Sequence, residues 1–160
     1  MSINQSSPYS SRSLVLALSF LLAGMTVHGA ESPTVVELTQ LACQFLESEG
    51  GTDHGYTTNG RADCEAINGG SAEKRVSAAK PLELKPGRYI FRVTNHSVPY
   101  ELGFWLRGEG LLGRATLPSV SGGGLVQGKT QDYAIELKPG EYLYSCPLNT
   151  TPDYKLVVKG

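Results

Sequence analysis

Cys146, His96, His54 and Tyr100 are the side chains of this sequence with the chemistry to hold a metal. Cys146 ends the alternating run of LKPGEYLYSC and is followed by PLNTTPDYKLVV. As a thiolate it would be a soft ligand, its pKa lowered by a metal or by basic neighbours; as a neutral thiol it would be a small buried hydrophobe. Two imidazoles with one thiolate are the in-plane donors of a trigonal copper centre. His96 lies in a loop after Asn95, and His54 sits in a Gly- and Asn-rich stretch, Gly50 to Gly60. A phenolate ligand at Tyr100 would need a strong Lewis acid, because an unperturbed tyrosine titrates near about 10. Outside this group there is no Ser/His/Asp set and no paired-carboxylate motif. Gly122-Gly123-Gly124 lacks the Lys-Ser/Thr ending of a phosphate loop. The sequence therefore argues against an enzyme.

A second group is aromatic. Tyr100, Phe104 and Trp105 fall in one strand-like run and Tyr142 and Tyr144 in another, with Tyr154 beyond Pro152. Core packing accounts for such a cluster, and the alternative is a binding surface formed by Tyr100, Phe104, Trp105, Tyr144 and Asn149. Asn95-His96-Ser97 and Asn149-Thr150-Thr151 match the glycosylation sequon, a short and unspecific pattern.

The elements that position these residues begin after residue 30. Arg12 precedes the apolar run Ser13 to Val27, the layout of a secretory signal over residues 1–30 and too short to span a bilayer. Residues 31–160 are then one domain with one core. Met1 and Met25 are the only methionines, so this part has none. Removing Arg12 and no acid moves the net charge from −1 to −2, a balance that excludes nucleic acid and an anionic membrane as partners. Export into the periplasm or the extracellular medium favours disulfides. Three cysteines allow three pairings; the favoured one is Cys43 with Cys64, which ties down the Gly-rich excursion and leaves Cys146 free.

Thr34 to Phe45 alternates with period 2, setting Val35, Glu37 and Thr39 against Val36, Leu38 and Gln40. Cys64 to Lys80 mixes Ala, Glu, Lys and Arg around Gly69-Gly70, a composition that suits a short helix, although Val76 to Ala79 reads as well as extended chain. Glu83-Leu84-Lys85-Pro86-Gly87-Arg88-Tyr89 recurs as Glu136-Leu137-Lys138-Pro139-Gly140-Glu141-Tyr142. Each copy is a strand end, a Pro-Gly turn and a new strand. Further strands are expected over Arg88 to Asn95, Tyr100 to Arg107, Lys129 to Leu137, Glu141 to Cys146 and Tyr154 to Lys159. Gly108 to Gly128 is expected to be mostly loop. About seven short strands separated by turns point to an all-β fold, a sandwich or a barrel.

Over roughly Val76 to Lys159 the sequence resembles the cupredoxin family. The resemblance rests on VTNHSVPYELGFWL (Val93 to Leu106), GGGLVQGKTQDYAIELKPGEYLYSC (Gly122 to Cys146) and the final strand DYKLVV, and is nearest to domains of periplasmic iron- and copper-handling proteins. It implies a Greek-key β-sandwich in which an Asn-x-x-x-Pro-His loop supplies one copper ligand and a later strand the cysteine. A second histidine and a methionine follow that cysteine in the family. The first histidine falls on Tyr100, the cysteine on Cys146, the second histidine near Asn149, and the methionine on no residue. The expected function is an exported cupredoxin-like binding or interaction module without a standard type 1 copper site and without a cofactor. Its partner would be an exported or metal-handling protein. The alternative is a copper protein with a remodelled site around Cys146, completed by His96 or His54, serving electron transfer or metal delivery.

Overall fold

The computed structural model describes residues 32–160, together with Met1 and Ser2, so the expected signal sequence lies outside the described residues. Among the described residues nine strands form two sheets: β1 (Thr34–Leu41), β2 (Gln44–Phe45), β3 (Leu82–Leu84), β4 (Gly87–Asn95), β5 (Leu102–Gly108), β6 (Val120–Leu125), β7 (Thr130–Leu137), β8 (Gly140–Ser145) and β9 (Tyr154–Val158). The first sheet has the order β2-β1-β4-β7 and the second β3-β9-β8-β5-β6. β1 runs parallel to β4 and β3 parallel to β9, while the remaining pairs are antiparallel. The chain leaves β4 for β5 and β6 in the second sheet, returns in β7, and crosses again to β8, which pairs with β5: a Greek-key sandwich.

The two Pro-Gly copies make the same turn. Gly87 and Gly140 have φ of +149° and +154°, a backbone region nearly closed to other residues. Alternation then sends Tyr142 and Tyr144 inward and leaves Leu143 only half-buried. The core is a lattice of rings centred on Phe104, whose centroid lies 5.1 Å from Tyr133, 5.6 Å from Phe91 and 6.2 Å from Phe45.

Three local expectations are corrected. The run Thr34 to Phe45 is two strands, because Ala42 and Cys43 turn the chain, with Cys43 at φ +63°. Gly108 to Gly128 holds a helix, α2 (Gly110–Thr116), and the edge strand β6. Its glycines serve contact as well as looping: a Cβ on Gly108 would lie 2.2 Å from the Gly113 carbonyl oxygen, so α2 packs backbone to backbone on the end of β5.

The third correction is the helix α1, Arg61–Ala78, which is 18 residues long and runs straight through Gly69-Gly70. Its apolar periodicity is weak because it buries only Cys64 and Arg75. Anchoring by those two residues outweighs a local cost of about 1 kcal/mol per glycine. A Cβ on Gly69 or Gly70 meets open space, and neither has positive φ. Gly69→Ala and Gly70→Ala are therefore expected to raise stability by about 0.5–1 kcal/mol each, read from the urea midpoint at constant slope.

Candidate functional site: the capped end of the sandwich

β5 and β8 bring Tyr100, Cys146 and Asn149 to one end of the sandwich, the end over which α1 and the excursion before it fold. Asn95 shapes the first loop there. Its buried amide donates to the carbonyls of Val98, Tyr100 and Leu125, and its oxygen accepts the Val98 N–H. The Cys146 sulfur is fully buried and accepts N–H groups from Gly103 and Asn149, each at 3.3 Å. Burial pushes its pKa up; those two N–H groups, that of Leu148 and the Gln40 amide pull the other way without prevailing. The group is therefore a neutral thiol at pH 7.

The Cys43–Cys64 disulfide forms as expected and lies directly against this end. The Asn149 oxygen accepts the Cys43 N–H at 3.0 Å, and its amide donates to the Leu41 carbonyl at 2.7 Å. Asn149 Oδ1 also lies 3.4 Å from the Cys64 sulfur. The Tyr100 hydroxyl lies 3.8 Å from that same sulfur and 3.2 Å from Thr58 Oγ1. Burial raises the Tyr100 pKa, which opposes the phenolate form. Among the described residues, Cys43 and Thr150 are the non-glycine positions with positive φ. Asn68 of α1 donates to both of their carbonyls, at 3.2 and 2.6 Å, and so fastens the helix to two strained turns.

A buried ion pair makes the second fastening. Glu49, in the 3-10 turn Glu47–Glu49, meets Arg75 of α1 at 2.6 Å with the two side chains 5% and 7% exposed. Arg75 also donates to Asn68, Ser71 and the Cys43 carbonyl, which engages the whole guanidinium. The Glu49 carboxylate accepts the Tyr154 hydroxyl and His54 Nε2 as well. Burial alone would raise the Glu49 pKa; the bonds from Arg75, Tyr154 and His54, with the Arg75 charge, outweigh it and hold the carboxyl below its ordinary value.

His54 is thereby bonded to Glu49 and stacked on Tyr56 at 5.3 Å, as part of the fastening. His96 is exposed, and only its backbone N–H turns back, to the Gln40 carbonyl. The excursion does cover the Cys146 end, but it brings a disulfide there in place of an imidazole. Among the described residues no three His, Cys, Asp or Glu side chains are grouped so as to hold a metal ion. The donor chemistry around Cys146, which is backbone N–H groups, two amides and a neutral phenol, does not fit a type 1 copper ion. The aromatic surface is corrected too: Phe104, Tyr144 and Asn149 are buried, Tyr100 is half-buried, and only Trp105 is exposed, under the Arg107 guanidinium at 4.1 Å. Alternation places Phe104 and Tyr144 on the inner faces of their strands, and Asn149 is drawn inward by the cap. Glu49, Asn68 and Arg75 carry no sequence signal, since each gains its partner only when the cap closes.

This architecture is that of a cupredoxin-like sandwich with a disulfide-tied cap. Among solved structures it is similar to auracyanin B, a cupredoxin, with a TM-score of 0.50 and 14% sequence identity, over 81% of this chain and 92% of that one. The likeness is one of fold. No family model matches the sequence, and no curated protein does.

Proposed function

We propose that this chain is an exported cupredoxin-fold binding or interaction module without a standard type 1 copper site. The commitment of Asn149 carries the reading. The residue at the position of the second histidine spends both ends of its amide on Leu41 and Cys43, holding the disulfide against Tyr100. An ion between Tyr100, Cys146 and Asn149 would have to break those bonds and ionise a thiol that burial keeps neutral. Export to the periplasm or the medium is supported by the disulfide, which persists in oxidising compartments. Among the described residues no helix is long and apolar enough to cross a membrane. Residues 1–30 are assigned as the signal sequence and residues 31–160 as the single domain. The partner is assigned to the exported or metal-handling proteins, and no catalytic role is assigned.

Titration of the folded protein with copper(II) tests this. The expected spectrum has no intense visible thiolate-to-copper band, and Cys146 reacts slowly with Ellman's reagent until denaturant is added. An intense band that disappears in Cys146→Ser would overturn the proposal in favour of the remodelled copper site.

A further inference from the structure

A cleft of about 730 Å³ opens between the second half of α1 and the 3-10 turn, and Cys146 is not among the residues that line it. That volume falls in the range of about 300–1,000 Å³ typical of small-molecule sites. Ala78 and Ala79 are too small to fill it, and the stacked rings of His54 and Tyr56 line its wall. The Tyr56 ring is held in place by His54 stacked on it and by the Arg75 guanidinium 5.2 Å from its centroid. The floor is electrically spent, because Glu49 and Arg75 neutralise each other and every donor of Arg75 is engaged.

The rim is different. Lys74 and Lys80 line the cleft, are exposed, and have no side-chain partner among the described residues. Glu47 is the single rim carboxylate facing them, and one of its oxygens is occupied by the Thr39 N–H. Two free ammonium groups over a largely apolar hollow with an aromatic wall match a ligand with a small anionic head and a flat apolar body. The rim has no arginine fork and no glycine nest for a polyphosphate. We propose that the cleft binds a small amphipathic organic acid, of the aromatic carboxylate class, with its carboxylate between Lys74 and Lys80 and its ring in the hollow lined by Ala78, Ala79 and the stacked His54 and Tyr56 rings. This rests on the binding-module reading and adds to it the place and the chemistry of binding.

The probe is 2-naphthoate, titrated calorimetrically into the full folded chain, with 2-naphthalenemethanol as its uncharged counterpart. Saturable one-site binding of naphthoate is expected, much weaker binding of the alcohol, and an affinity loss of about tenfold in Lys74→Glu/Lys80→Glu, where several weak charge terms reverse together. Both lysines are exposed, so the variant should keep its far-UV spectrum and urea midpoint. Leu111→Ala/Leu112→Ala, which trims exposed leucines of α2, is expected to leave binding unchanged. Absence of saturable binding, equal binding of the alcohol, or full affinity in the lysine variant would each overturn the inference. A Cys146-dependent copper band would instead overturn the earlier reading and leave this measurement standing, so the two failures are distinct.

Discussion

Arg75→Ala is expected to lower stability by about 3–5 kcal/mol, the cost of breaking a buried ion pair from one side. Arg75 supplies a guanidinium to the buried Glu49 carboxylate, and it also satisfies Asn68 and the Cys43 carbonyl. Its loss leaves a charge 5% exposed with only Tyr154 and His54 as donors. Arg75→Lys should recover part of the loss, because an ammonium keeps the charge but not the planar fork. A paired replacement, Glu49→Leu with Arg75→Met, should cost much less than Arg75→Ala, since it removes both charges at once. Chemical denaturation at pH 7 distinguishes these outcomes; equal losses in all three variants would mean that packing, and not the charge pair, fastens the cap.

The same pair contributes to the acid limb of stability. The folded carboxyl of Glu49 lies below its ordinary value, so the unfolded chain binds a proton more readily in that range. Its contribution is complete above the ordinary carboxylate pKa of about 4.3 and is lost as pH falls through the lowered folded value. In Arg75→Ala the acid unfolding midpoint should move to higher pH. Cys146 acts at the other limb with the opposite sign. Its raised pKa makes the contribution complete below the unfolded thiol value of about 8.5 and lost as pH rises toward the folded one.

Cys43→Ala/Cys64→Ala should cost about 3 kcal/mol, the chain-entropy value for a bridge closing a loop of this size, with residues 21 apart. It should also accelerate modification of Cys146 under native conditions. The cap would then lose one of its fastenings, and Asn149, which donates its N–H to the Cys146 sulfur, would lose the ordered Cys43 N–H. A stability loss without faster modification would show that the cap stays closed without the bridge, and that the disulfide acts on the unfolded chain alone.

Much of this molecule was legible in one dimension. Period-2 alternation located β1, and turn residues with strand-like composition located β4, β5, β7, β8 and β9, because these are local properties of the chain. The doubled Leu-Lys-Pro-Gly turn was legible for the same reason, and the Cys43–Cys64 pairing followed from an odd cysteine count and a glycine-rich span to be tied. The helix α1 was largely hidden, since its two buried residues form no periodic face. The docking surface read from the aromatics failed at Phe104, Tyr144 and Asn149 because residue type cannot separate a core ring from a surface ring.

By itself the sequence determined an all-β chain of short strands, favoured the Cys43–Cys64 bridge among three pairings, and marked the strand end at which Cys146 stands. Only the tertiary structure decided what surrounds that cysteine. Asn149 meets Cys43 across 106 residues, Arg75 meets Glu49 across 26, and the disulfide comes to rest on Tyr100. Such contacts follow from how the cap folds over the sandwich, which no local pattern encodes. The physical reason is that alternation and turn chemistry act between near neighbours, whereas the state of a buried thiol is set by whatever the whole fold brings against it.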